Sequence, residues 1–490
     1  MGVFDNAREG VQKAMKQAIS WAMQMSDDPY EKEYSRRALW QAYLIDYYQG
    51  VQKKSLKTSK EGVDFNVTVN LASLIVDRTV SMLFGGGLEF KNDSDEAKKY
   101  IDAVWDANKK DILLHDFGQN GAVYGTLYAK ILPDDLVTDD NKSTFGIVAL
   151  SPINMIVGVN PKDVREVLYY VNRWNVNESG KTVAYREITK KVRNNDLVTW
   201  EIITQVQGRS MSSKWENVDV VAWPYDFAPI VHTKNLPNAG SQYGRSDIED
   251  ILGLQDDYNQ AFSNVNKILW FHGHPHLWTN GKVGSLVDWS TEKILELKGD
   301  GITKDPSMQS LELQGDLAAS RDFINDLRRD LMDVSRTTDV ETIKDKAGAL
   351  TNFGLRVLFK DELAKTKTKQ LLYGEFLCEI NRRLMLLAGM SGDEGEVQWG
   401  ESLPENENEE TAALKSDLDM GIVSRQTVAM RRGYDWEIEK ERMSEEKRTE
   451  GNVGGKIITD FFRGGNQNNS QINRAIVDRD GTRNNQSNIL

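Results

Sequence analysis

"GRSDIEDILGLQDDYNQAFSNVNKILW", residues 244–270, decides the fold. Ser246 followed three residues later by Glu249 is a capping-box start, and Ile248, Ile251, Leu252, Tyr258, Phe262, Val265 and Leu269 recur at helical spacing. One long amphipathic helix is expected. Residues 271–313 then break into short strands with Gly and Pro turns. Beyond them "DLAASRDFINDLRRDLMDVSRTT" (316–338) places Leu317, Ile324, Leu327, Leu331 and Val334 on one helical stripe. Two long helices therefore bracket a small β insertion.

Upstream, residues 1–55 read as helical and rich in Trp and Tyr, and 66–84 as a second helix closed by "FGGG" (84–87), whose glycines suit the left-handed conformation that ends helices. A third helix is expected over 95–125. Period-two runs then take over in "TLYAKILP", "FGIVALSP", "MIVGV", "VLYYVNRWNV", "KTVAYREIT" and "LVTWEIIT", which predict a meandering, mostly antiparallel sheet. Downstream, 337–350 is polar and loop-like, and 351–390 reads as a very long helix, bent at Gly354 or Gly374. A helical pair at 409–420 and 424–448 follows. The Asn- and Gln-rich tail from about 449 lacks the apolar area to fold alone. The fold class is α+β.

The insertion opens with "WFHGHPHLWTN" (270–280), which places His272, His274 and His276 at alternate positions. On a strand they share one face, as a zinc site could use. A catalytic site would also need a carboxylate orienting the rings, and the nearest acidic residues are Asp257 and Asp288. Pro275 confines the segment to an edge or turn, where exposed imidazoles meet solvent or a partner chain. A metal-dependent hydrolase is the weakest of the alternatives.

Composition narrows the function further. The chain has 490 residues, a formal charge of −13 and one cysteine, Cys378, which excludes an intramolecular disulfide. The most apolar window, 69–87, is interrupted by Asp77 and Arg78, so no membrane span is expected. An acidic chain is poorly suited to gripping nucleic acid over a broad surface, since neutralising phosphates needs a basic excess. Acidity suits a protein past which DNA moves without sticking.

No enzyme motif stands up. "GNVGGKI" (451–457) has one residue too few between its glycines for a phosphate loop, and Ile457 stands where Ser or Thr should hold magnesium. No cofactor is expected. The segment 412–446 superficially suits a DNA-reading helix-turn-helix regulator, with Gly421 and Ser424 in the turn and Arg425 and Gln426 opening the second helix. Asp417, Asp419, Glu437, Glu439 and Glu441 would repel phosphates, and a packed helical hairpin is favoured.

Taken together, the chain resembles the portal proteins of long-tailed bacteriophages of Gram-positive hosts over about residues 20–448. The carriers are "NLASLIVDRTVSMLFGGGLEF" (70–90), "GAVYGTLYAKI" (121–131), "LSPINMIVGV" (150–159), the block 228–265, "AGALTNFGLRVLF" (347–359) and "LDMGIVSRQTVAMRRGYDWEIEKERMSEE" (418–446), in that order and separation. The resemblance implies no enzymatic activity but a ring of about twelve copies at one capsid vertex. Double-stranded DNA passes through it without sequence specificity during packaging and ejection. Its implied partners are terminase, head-completion or adaptor proteins, and the major capsid and scaffolding proteins. It further implies a wing over 1–240, stem helices over 241–270 and 314–336, and a clip over 271–313. A tunnel loop over 337–350, a long kinked helix over 351–394, a crown over 395–448 and a flexible tail over 449–490 complete the division. On this reading Lys344, Lys346 and Arg336 touch the DNA backbone transiently, and His272, His274 and His276 fall at the partner-contacting edge of the clip.

Overall fold

The computed structural model describes residues 28–58, 62–137, 143–178, 180–194, 197–207, 214–273, 276–279, 308–311, 317–339, 352–390, 395–403 and 407–445. The chain divides into two compact units, 1–404 and 405–490. The first unit is α+β, as the patterning predicts.

Its first described element is α1 (Pro29–Tyr48), capped by the Asp28 side chain, which accepts from the Tyr30 N–H. Next come α2 (Leu71–Phe84), capped by Asn70, and strand β1 (Leu88–Lys91). Where one helix is expected over 95–125, the structure has α3 (Asp95–Ala107) and α4 (Lys110–Tyr124). The break is at Asn108 and Lys109. Lys109 takes φ 55°, and the Asn108 side chain turns away to the Phe145 carbonyl. In "FGGG" only Gly87 is left-handed, at φ 73°.

All six expected runs are strands, but they divide between two sheets, and two further strands join them. β2 (Thr126–Val137) lies between β3 (Ser143–Leu150) and β9 (Ile230–Lys234). An antiparallel meander contains β4 (Met155–Asn160), β5 (Asp163–Glu178), β6 (Lys181–Asn194), β7 (Leu197–Gln207) and β8 (Trp215–Trp223) in sequence order. Alternation decides its two faces. Met155, Val157, Tyr170, Trp200 and Trp223 pack with Tyr128, Phe227 and Ile230, while Ile156, Val171 and Ile188 meet Tyr30 and Tyr34 of α1.

The bracketing helices are α5 (Leu252–Gly273) and α6 (Leu317–Ser335), and between them β10 (His276–Thr279) pairs antiparallel with β11 (Met308–Leu311). The first helix is displaced from its expected span. Residues 248–251 form a turn instead, with Ile251 N–H bonded to the Ile248 carbonyl, and the helix runs on to Gly273. The long helix is also interrupted, into α7 (Asn352–Leu358) and α8 (Lys360–Leu387). The interruption is at Phe359, not at Gly354 or Gly374. Strand β12 (Glu396–Trp399) returns to pair with β1.

Two cores result. Trp105, fully buried, stacks on Phe90 and donates its indole N–H to Asn381 at 2.7 Å, within a cluster joining α2, α3, α4, β2 and α8. Burying such a side chain contributes about 1.5–3 kcal/mol. The second core packs Leu44, Tyr47, Leu71, Ile75 and Val76 against Leu252 and Tyr258 of α5 and Ile324, Leu327 and Leu331 of α6. That core holds the bracketing helices to the body.

The second unit holds α9 (Glu407–Asp419) and α10 (Arg425–Arg431), the latter capped by Ser424. The expected helix over 424–448 is broken. Gly433 at φ 76° ends the first piece, and helix resumes over 436–445. Among the described residues no helix is long and apolar enough to cross a membrane.

Candidate functional site

The α5/α6 pair and the β10/β11 ladder at its end form the element on which the expected function turns. Three of the six residues singled out from sequence fall on described elements. His272 lies in the exposed last turn of α5 and His276 on β10, so the alternating strand that would align three imidazoles does not exist. The helix reaches Gly273 because its apolar stripe continues through Trp270 and Phe271, whose rings sit 5.2 and 6.2 Å from Phe65. His274, Lys344 and Lys346 lie outside the described residues.

Arg336 ends α6 in the left-handed region, φ 55°. Its N–H bonds to the Asp333 carbonyl and that of Thr337 to the Met332 carbonyl, the two bonds of a Schellman cap. Such a position usually belongs to glycine, and a side chain there costs about 1–2 kcal/mol. The guanidinium is thereby held exposed at the head of the segment that leads into 340–351.

Along α6 the exposed carboxylates Asp322, Asp326, Asp330 and Asp333 recur at helical spacing. They form an acidic stripe broken only by Arg329, paired to Asp326 at 3.1 Å. Apolar side chains are exposed beside it, among them Phe323 and Val334 on α6 and Leu269 on α5.

What fixes the pair was not read from the sequence. On α5, Gln255, Asn259, Ser263 and Asn266 form a polar stripe that serves the backbone of an extended segment, 65–71. Leu71, Val69 and Val67 donate their N–H groups to Gln255 Oε1 (3.1 Å), Asn259 Oδ1 (3.0 Å) and Ser263 Oγ (2.9 Å). Gln255 Nε2 returns a bond to the Val69 carbonyl and Asn266 Nδ2 one to that of Phe65. Side chains thus replace the strand that this segment lacks. An Asn259→Leu variant leaves the Val69 N–H and Gln52 Oε1 unpaired and is expected to lose about 2 kcal/mol of stability in urea titrations of the unassembled protein. A loss under 0.5 kcal/mol would show that these contacts are incidental.

The second device is a buried polar node where the pair meets α8. Asp247, just before α5, forms ion pairs with Lys369 and with Lys365 (3.1 Å), all of them almost fully buried. Lys365 Nζ also donates to the Ser335 carbonyl at the end of α6, and Glu362 accepts the Thr338 N–H at 2.9 Å. Asn235 completes the cluster, donating to the Arg245 carbonyl and to Asp247 Oδ1, and accepting from Tyr373 Oη at 3.0 Å. Burial opposes ionisation of Asp247, yet the two ammonium groups outweigh it and hold the carboxyl below its usual range. Burial pushes Lys369 down to about 8. The segment leading into α5 is thus fastened to α8 through Asp247, and the end of α6 to the same helix through Lys365 and Glu362.

Gly125 completes this junction. It sits at φ +81°, and its backbone and that of Gly244 cross so closely that a Cβ on either would meet the other's carbonyl oxygen, or the adjoining Arg245–Ser246 backbone, within 3 Å. Ser246 Oγ donates to the carbonyls of Ala122 (2.9 Å) and Val123 (2.7 Å), anchoring 244–247 on the end of α4.

A family model described as phage portal protein, SPP1 Gp6-like, matches residues 28–452. No curated protein matches the chain significantly.

Proposed function

The chain belongs to the SPP1 Gp6-like phage portal protein family, and on that premise we propose that it closes into a ring of about twelve copies around a DNA channel. Portal proteins are structural, non-enzymatic components of the capsid vertex that serve DNA packaging. In the proposed arrangement α5 and α6 are the stem, duplex DNA passes between the copies of that stem during packaging and ejection, and residues 271–313 form the clip that docks terminase and later the head-completion proteins. Residues 337–350 form the tunnel loop, with Lys344 and Lys346 offered to the phosphates, Arg336 at its base and His272 and His276 at the clip's edge. The body through residue 240 is the wing and 395–448 the crown.

The observation that carries this reading is the α5/α6 pair with its short ladder, fastened at one end and bearing the acidic stripe Asp322, Asp326, Asp330 and Asp333. Negative charge on a channel wall does not retain phosphates, so the duplex can slide, while a few cations steer it. Exposed Phe323, Val334 and Leu269 give the stem apolar area to bury between copies.

The purified protein, measured for solution mass and imaged in negative stain, is expected to give rings of about twelve copies with an axial hole. A monomer that stays monomeric with capsid and scaffolding proteins present would sink the reading.

A further inference from the structure

One row of apolar side chains crosses four strands of the meander on the face that α1 covers. Val171 of β5, Ile188 of β6, Ile203 of β7 and Val220 of β8 stand opposite one another in register. Val171 and Ile188, packed with Tyr30 and Tyr34, are 3% and 5% exposed, Ile203 is partly buried, and Val220 is 50% exposed. The row thus runs past the helix that shields it. β8 is also the edge strand of its sheet, with Val218 and Val221 exposed beside Val220. Its acidic residues, Glu216 and Asp219, lie opposite Val206 and Thr204 on the other face. An apolar edge strand is normally covered or charged, because its free backbone groups invite another chain.

A line of side chains shows where the polypeptide enters this face. Asp28 Oδ2 accepts from Arg186 Nη1 at 2.5 Å, Arg186 Nε donates to Gln205 Oε1 at 2.6 Å, and Gln205 Nε2 donates to Asn217 Oδ1 at 2.7 Å. These bonds run from the residue before α1 across β6 and β7 to β8. Trp215, the first residue of β8, faces the Arg186 guanidinium at 4.3 Å. Asp28 is extended, at φ −77° and ψ 116°, and Pro29 follows, so α1 is not prolonged upstream through this residue.

Immediately before it stands "ISWAMQMSD" (19–27), which lies outside the described residues. Ile19, Trp21, Met23 and Met25 alternate with Ser20, Ala22 and Gln24, so an extended run turns four apolar side chains to one side. Val220 lies two strands beyond Ile188, about 10 Å away, and three residues of extended chain span about that distance. Met25, three residues before Asp28, is within reach.

We propose that residues 19–27 of the same chain lie across β7 and β8 on the α1 face and cover Ile203 and Val220. Where this segment enters decides the occupant. Tethered at Asp28, it meets the exposed row at high effective concentration, which the same segment of another copy does not. Methionine suits the surface, since its flexible thioether fills irregular gaps and makes favourable contacts with a ring such as that of Trp215. The cover keeps an apolar sheet edge from pairing with unrelated chains.

The test uses full-length protein carrying Val220→p-benzoylphenylalanine, as an equal mixture of isotopically light and heavy copies. Photocrosslinks from position 220 into 19–27 of the same chain are expected. Crosslinks into 19–27 of another copy alone, or none into 19–27 at all, overturn the proposal. A full-length variant with Trp21→Ser, Met23→Ser and Met25→Ser gives a second readout by amide hydrogen exchange. Exchange over 215–223 should quicken about tenfold while that over β2 and β4 stays as in the parent chain. Unchanged exchange over 215–223 would mean that the segment does not rest there, and faster exchange in all of these strands would mean that it supports the body as a whole; either result sinks the proposal.

Discussion

Asp247→Ala is expected to lower the unfolding free energy by about 3–5 kcal/mol, the range for removing one partner of a buried ion pair. The reason lies in what is left behind. Lys365 and Lys369 stay buried on α8 with only the Ser335 carbonyl to accept from them, and Asn235 loses one acceptor. Two like charges in one apolar site then repel each other and the α6 end loosens. Urea titration of the unassembled protein reads the loss. Replacing the trio together, Asp247→Leu with Lys365→Met and Lys369→Met, should recover most of it, because a buried ion cluster contributes more to register than to net stability. A triple variant as unstable as the single one would mean that the loss comes from the Asn235 bonds and not from stranded charge. The pH dependence has a definite sign. The Asp247 carboxyl is held below its ordinary value of 3.8, so its contribution is fully present above that pH and is lost as pH falls through the folded-state value. Asp247→Asn should flatten that acid limb relative to the parent. Functionally, the expected consequence is an α5/α6 pair that no longer shares a fixed end and, on the proposed reading, rings that assemble poorly.

The node also explains what sequence could and could not disclose. The long helices and strands β4 to β7 of the meander announce themselves through periodicity, since a face buried by its own element leaves a regular apolar trace, whereas β8, exposed along most of its length, leaves none. Phe262 and Leu269 follow that trace on α5, yet they are exposed, because the helix buries Gln255, Asn259 and Ser263 instead. A polar stripe that answers another segment's backbone has the same spacing as a solvated face. The same holds for Glu362, Lys365, Thr366 and Lys369, which look like a surface of the long helix and are buried. Helix boundaries failed where long-range bonds decide them. Ser246 and Glu249 do form part of a capping box, the Ser246 N–H reaching Glu249 Oε2 at 3.2 Å, but the serine hydroxyl is taken by the end of α4 and the helix begins six residues later. The histidine segment shows a related effect. Alternation in sequence suits a strand, while Trp270 and Phe271, packed on Phe65, keep the chain helical through His272.

Gly125→Val is expected to be nearly as damaging as loss of Asp247, at about 3–5 kcal/mol, for steric rather than electrostatic reasons. A β-branched residue is rarely accommodated at φ +81°, which costs about 1–3 kcal/mol, and overpacking adds a similar amount. The overpacking is against backbone. A Cβ there would stand 2.6 Å from the Gly244 carbonyl oxygen and 2.9 Å from the Ser246 nitrogen, neither of which a rotamer change can move. Relief requires lifting 244–247 off α4, which breaks the bond from the Asp247 N–H to the Ala122 carbonyl (2.8 Å) and those from Ser246 Oγ to the same end of α4. The damage therefore travels from a turn between α4 and β2 to the segment leading into α5. Gly180→Val is the control, a glycine at φ +78° with open space around its missing Cβ. It carries the conformational strain without the collision, so it should lose no more than about 1–3 kcal/mol. If both variants melt together, the crossing of Gly125 and Gly244 contributes nothing beyond backbone strain. If Gly125→Val alone melts far lower and fails to form rings, the crossing is what holds the loop before α5, and through it the placement of the α5/α6 pair on which the proposed ring depends.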